Sequence, residues 1–170
     1  MHLVRDPLPE APTDGRVAVP PLLIGVGHEG RRDDAAGVRA ARLVRAMLWP
    51  RARVIECDGA AAALLEVWQG EPVVVVVDAM SSAAPAGTVR RIDVSREPLP
   101  GDLFRGSTHG LGLAEAVELA RSLGRLPPSL VIYGIEGERF ELGTRLSYTV
   151  ECAVREAALR ISEEITAGIR

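Results

Sequence analysis

The strongest constraint on the fold of this chain is a run of five consecutive valines, residues 73–77. β-branched side chains favour an extended backbone, and a run that is apolar on both faces needs cover on both faces. Pro72 precedes the run and Asp78 ends it. The run therefore predicts a central strand between two layers of helices, with a carboxyl group at the end of that strand.

Residues 22–48 predict a second buried strand followed by an amphipathic helix. The apolar run of residues 22–24 ends at a turn that contains Gly25 and Gly27. The acid pair Asp33-Asp34 then stands where the helix is expected to begin. We expect Asp33 to cap that helix. Apolar residues then recur at spacings of three and four, as on one face of a helix. They are Val38, Ala41, Val44 and Leu48.

The remaining pattern completes an α/β fold. Further strands are predicted near residues 53–55, 88–94 and 130–134, and further helices over 60–68, 111–123 and 147–166. Residues 88–94 follow Asp78 too closely for a helical crossover, so they predict an antiparallel edge strand. The fold class is a three-layer α/β/α domain with a twisted, mostly parallel five-stranded sheet and one antiparallel edge strand. Residues 1–20, with four prolines, predict a flexible N-terminal tail, and residues 21–170 a single domain.

Composition excludes several classes of protein. The formal charge of −3 gives no electrostatic reason to expect nucleic acid or an anionic membrane as a partner. No apolar run approaches the roughly 20 residues that cross a bilayer, and the N-terminus lacks the apolar segment of a secretory signal. Cys57 and Cys152 have no CxxC spacing and are expected to be buried and reduced. These features predict a cytoplasmic protein.

A glycine motif offers one candidate chemistry. Residues 25–30 match the GxGxxG pattern of dinucleotide-binding turns, and Glu56 or Asp58 could contact a ribose. A pyrophosphate, however, would sit on the helix N-terminus, where Asp33 and Asp34 already place negative charge. Nucleotide binding is therefore the less favoured alternative.

A metal site is the other candidate. Right-handed crossovers put the first and third predicted strands side by side, so their acids, Asp33 or Asp34 and Asp78, meet at one end of the sheet. The loop that carries His109 returns to the same end. Two carboxylates and an imidazole suit a borderline divalent cation such as nickel, zinc or iron. Three protein ligands leave a coordination position open for water or substrate.

Six motifs between residues 22 and 155 carry a resemblance to a known family. They are Gly25-Val26-Gly27-His28, Asp33-Asp34 with Gly37, Val77-Asp78-Ala79, Pro85-Ala86-Gly87-Thr88-Val89, Ser107-Thr108-His109 and Gly134-Ile135-Glu136. In this order they resemble the hydrogenase maturation endopeptidases. These enzymes trim the C-terminal extension from the large-subunit precursor of nickel–iron hydrogenases.

The resemblance implies a function and a set of site residues. Asp34, Asp78 and His109 would be both the metal ligands and the catalytic residues of a metal-dependent endopeptidase of aspartic- or metalloprotease type. The nickel would come with the substrate, the hydrogenase large-subunit precursor, and the chain would hold no tightly bound cofactor of its own. The alternative is a non-catalytic metal-sensing or chaperone-like module that binds the precursor without cutting it.

Three departures from the family pattern stand near these motifs. His28 replaces the usual Asn, Gly30 replaces a usually apolar residue, and Glu136-Gly137 lacks the common proline. His28 could be an extra ligand, a substrate contact or a tolerated turn residue, and the last interpretation is favoured. Glu136 is expected to be a loop contact or a solvated acid rather than a catalytic base.

Overall fold

The computed structural model describes the backbone of residues 4–5 and, in full, residues 19–100, 103–104 and 112–169. The strands are β1 (Val4–Arg5), β2 (Leu22–Val26), β3 (Arg53–Cys57), β4 (Val73–Met80), β5 (Val89–Asp93) and β6 (Ser129–Glu136). The helices are α1 (Ala36–Leu48), α2 (Ala61–Val67), α3 (Leu113–Ser122) and α4 (Tyr148–Ala167). A 3-10 turn, Arg32–Ala35, leads directly into α1.

The strands form one sheet in the order β1-β3-β2-β4-β6-β5. β3, β2, β4 and β6 are parallel, and β5 pairs antiparallel with β6 at one edge, so the predicted fold class is confirmed. The two-residue strand β1 adds an antiparallel partner to β3 at the opposite edge. It lies inside the segment predicted as a flexible tail, and the other residues up to 18 lie outside the described ranges.

The valine run fills the middle of the sheet, and its side chains alternate between two cores. Val74 and Val76 pack in the cluster that includes α2 and α3, whereas Val75 and Val77 pack in the cluster of α1 and α4. All four are buried. β4 therefore has the cover on both faces that its sequence demands.

Two glycines let α1 lie unusually close to the sheet. A Cβ on Gly37 would overlap the carbonyl oxygens of Val26 and Val77, and one on Gly25 would meet the Ala41 Cβ at 2.5 Å. The close approach fixes the N-terminal end of α1 over the carboxyl ends of β2 and β4. Among the described residues, no helix combines the length and apolarity that a membrane span requires.

Candidate functional site

A cavity opens at the carboxyl ends of β2, β3 and β4, where the predicted site should lie. Asp34 reaches it from the 3-10 turn before α1, and Asp78 reaches it from β4. The predicted convergence of these two acids is therefore confirmed. His109 lies outside the described residues, so its place in the trio stays a prediction.

The two carboxyl groups repel each other electrostatically. Desolvation and, to a lesser extent, the nearby Asp34 carboxylate raise the pKa of Asp78 to about 8, although the Ala79 backbone N–H partly opposes both effects. Asp34 is held in place by the backbone N–H of His28, which donates to Oδ2 at 3.0 Å. A carboxyl group whose pKa is raised this far by burial and a neighbouring acid is typical of a functional site.

Asp33 has a different role from the one that the sequence suggested. It is fully buried and makes no capping bond to α1, so the capping prediction is wrong. Its carboxylate instead accepts the backbone N–H groups of Glu138 (3.0 Å), Arg139 (2.8 Å) and Ser147 (2.6 Å), and the Ser147 hydroxyl (2.8 Å). Four donors satisfy a buried charge, and Asp33 thereby anchors the loop between β6 and α4.

Backbone bonds join the same loop to the segment before α1. The Arg32 N–H donates to the Gly143 carbonyl at 2.8 Å, and the Gly143 N–H donates to the Gly30 carbonyl at 2.9 Å. The loop consequently brings Phe140 into the cavity wall. Sequence reasoning missed Phe140; the only available signal was a lone aromatic residue in a polar loop.

Asp58 is a further cavity residue that sequence reasoning assigned elsewhere. It lies just after β3, lines the cavity beside Asp34 and Asp78, and accepts the Ala60 N–H at 3.2 Å. The sequence had singled it out only as a possible ribose contact. An acid directly after a parallel strand next to β2 was the signal that could have placed it in the site.

The structure opposes the nucleotide alternative. Glu56 is engaged by Arg42, through bonds of 3.0 and 2.7 Å, and by Arg45 at 3.1 Å, so it is not a free ribose acceptor. A Cβ on Gly27 would overlap the Asp34 carbonyl, because the glycine turn packs directly against the 3-10 turn. Gly25 and Gly27 therefore allow close packing of the strand and its turn against the segment that leads into α1.

Glu136 and the cysteines have structural surroundings. Glu136 is buried and accepts the backbone N–H and hydroxyl of Ser82, at 2.7 and 2.8 Å, so it is the predicted loop contact. Cys57 is buried as predicted, and desolvation raises its pKa to about 11. The prediction that Cys152 is buried is wrong, because its position on α4 faces away from the core.

The donor set of the cavity fits a cation only in part within the described ranges. No three His, Cys, Asp or Glu residues among the described ones come together as a metal site. Asp34 and Asp78 supply two oxygen donors whose repulsion a cation would relieve. A cation presented by a substrate, with ligands of its own, is the kind that two such donors suit.

Comparisons with known proteins agree on one family. The model of the HycI hydrogenase maturation protease family matches residues 38–164. The hydrogenase 2 maturation protease of Escherichia coli (strain K12) is 29% identical over 153 residues, which cover 88% of this chain and 90% of that one. The hydrogenase expression/formation protein HupD of Thiocapsa roseopersicina is 28% identical over 117 residues, 68% of this chain but only about half (53%) of HupD.

Solved structures share the fold. The hydrogenase maturating endopeptidase HybD from E. coli superposes with a TM-score of 0.72 at 24% identity, over 88% of this chain and 94% of that one. The [NiFe] hydrogenase maturation protease HybD from Thermococcus kodakarensis gives a TM-score of 0.67 at 25% identity, over 86% and 99% of the two chains.

Proposed function

Because the chain belongs to the hydrogenase maturation protease family, we propose that it removes the C-terminal extension from the large-subunit precursor of a nickel–iron hydrogenase once nickel has been inserted. The observation that carries the proposal is the convergence of Asp34 and Asp78 in one cavity at the carboxyl ends of parallel strands. Hydrolysis of a peptide bond requires polar groups that can act on the scissile carbonyl or on a water, and the two carboxyl groups of this cavity are such groups.

The roles of the residues in this proposal are those that the resemblance implies. Asp34 and Asp78 bind the nickel that the precursor presents, and His109 is the third ligand. Binding through a partly filled coordination sphere lets the enzyme distinguish a nickel-loaded precursor from an empty one, since only the loaded precursor offers a cation to the two carboxyl groups. When present, the substrate's nickel polarises the scissile carbonyl or a water.

Intact mass spectrometry of a candidate precursor incubated with this protein tests the proposal. We expect a C-terminal peptide to be lost only from the nickel-loaded precursor, and processing to fail with Asp34→Asn, Asp78→Asn and His109→Ala. Glu29→Gln is the control, because Glu29 is exposed, lies outside the cavity wall and pairs with Arg42 at 2.6 Å. A nickel-loaded precursor that binds but keeps its full mass would support the non-catalytic alternative.

A further inference from the structure

The imidazole of His28, a residue of the cavity wall, is fixed by a hydrogen bond within its own loop. His28 lines the cavity together with Asp34 and Asp78 and is exposed to solvent. Its Nδ1 accepts the backbone N–H of Gly30 at 3.1 Å. Because Nδ1 acts as an acceptor, the neutral ring carries its proton on Nε2. The ring of this cavity-lining residue therefore carries an N–H donor on Nε2 and not a lone pair.

The His28 ring packs directly against Gly30. A Cβ at Gly30 would lie 3.1 Å from Cε1 and 3.3 Å from Nδ1 of His28, closer than ordinary van der Waals contact. Two departures from the family pattern, His28 and Gly30, are thus parts of one structural feature. A side chain at residue 30 would push the ring away from the position that its bond to the Gly30 N–H defines.

We infer that His28 is a substrate-binding residue whose Nε2–H donates a hydrogen bond to a backbone carbonyl of the polypeptide bound at the cavity. This rests on the proposed function, which brings an extended chain past Asp34 and Asp78. Such a chain has carbonyl acceptors at every residue, and a donor beside the reacting group contributes to its positioning. A ligand role is not favoured, because a ring nitrogen that carries a proton cannot bind a metal.

Two conservative variants distinguish the contributions of the two ring nitrogens to substrate binding. His28→Asn keeps an acceptor near the Nδ1 position and loses the donor at Nε2, whereas His28→Gln places an amide donor at the reach of Nε2. With nickel-loaded precursor, we expect His28→Asn to raise KM about fivefold, the effect of one net hydrogen bond, with little change in kcat. His28→Gln should restore KM to within about twofold of wild type.

Gly30→Ala completes the test as a double-mutant cycle. It should raise KM in the wild-type background, where the Cβ displaces the ring, and have little effect in the His28→Ala background. A long-range proton–nitrogen NMR spectrum of the substrate-free protein should show the proton of the neutral His28 ring on Nε2.

The outcomes distinguish this inference from the function on which it rests. A wild-type KM for both His28→Asn and His28→Ala, with processing intact, would overturn the role of His28 alone. A neutral ring protonated on Nδ1 would also overturn it. If the wild-type protein cleaves no nickel-loaded precursor, the proposed function falls and takes this inference with it.

Discussion

Asp33 and Ser147 are joined by two hydrogen bonds across 114 residues of sequence. The Ser147 backbone N–H donates to Oδ1 at 2.6 Å, and its hydroxyl donates to Oδ2 at 2.8 Å. Ser147 directly precedes α4, so these bonds fix the start of that helix relative to the turn that carries Asp34. The buried acid thus supports the site without entering its cavity.

Asp33→Ala should lower the free energy of unfolding by about 3 kcal/mol or more, because it leaves four donors without their charged acceptor. Urea denaturation with and without the mutation measures the loss. Asp34→Ala is the matched control, since it removes the neighbouring carboxyl group from a cavity and not from a buried network. Equal stability losses for the two variants would contradict the assignment of Asp33 as the anchor.

The acids of the cavity should behave in the opposite way. Asp78→Asn should abolish processing yet leave the metal-free protein at least as stable as wild type. The reason is that it removes a carboxyl group whose ionisation is disfavoured by desolvation and by Asp34. Thermal unfolding in the presence of a chelator, together with the precursor mass assay, measures both effects. A variant that loses activity and stability together would indicate that Asp78 is a structural residue.

Gly25 on β2 and Gly37 on α1 face each other across the contact between the sheet and the helix. Their alanine variants should differ in whether a second mutation can restore the lost stability. Gly25→Ala brings a new Cβ 2.5 Å from the Cβ of Ala41, so Ala41→Gly should restore part of the lost stability. Gly37→Ala meets the backbone oxygens of Val26 and Val77, which no side-chain change can remove.

We expect Gly37→Ala to give little folded protein, and Gly25→Ala to lose a few kcal/mol, of order 1–3, as other overpacked cores do. Circular dichroism and urea titrations of both single variants and of Gly25→Ala/Ala41→Gly test the difference. Absence of any rescue by Ala41→Gly would show that the contacts of Gly25 with the backbone of α1 dominate.

The sequence predicted most of the fold because its strongest signals are local. Residues 73–77 can satisfy their apolar faces only in the centre of a covered sheet, and that sheet places Asp34 and Asp78 at one end. The fate of Asp33 could not be predicted in the same way. A local rule assigns an acid before a helix to capping, whereas the real donors lie on a loop more than 100 residues away.

The short strand β1 shows the same limit of sequence reasoning. Val4–Arg5 gains its strand pairing only from the exposed edge of β3, and two residues among prolines carry no periodic signal. Cys152 was assigned to the core by residue type, yet its position on α4 decides its exposure. The contact between His28 and Gly30 could not be predicted either, because these two departures from the family pattern meet only in the folded structure.

A partly buried ion pair between β5 and α4 should make the free energy of unfolding depend on pH in the acid range. Arg91 donates to both carboxylate oxygens of Glu164 at 2.5–3.0 Å, and the Tyr133 hydroxyl donates to Oε2 at 2.5 Å. Desolvation raises the pKa of Glu164, but the bonds from Arg91 and Tyr133 outweigh it and hold the pKa below its usual value. The folded state therefore releases this proton more readily than the unfolded state does.

A depressed carboxyl pKa contributes stability above the unfolded pKa, about 4.3 for Glu, and loses it as the pH falls through the folded value. Glu164→Gln should therefore be less stable than wild type at pH 7, by about 1–2 kcal/mol, with a difference that shrinks below about pH 4. Urea titrations from pH 3 to pH 8 measure it, with the exposed neighbour Glu163→Gln as control. A stability difference that stays constant over this range would mean that Glu164 acts through packing, because only a titrating charge can make the two curves converge in acid.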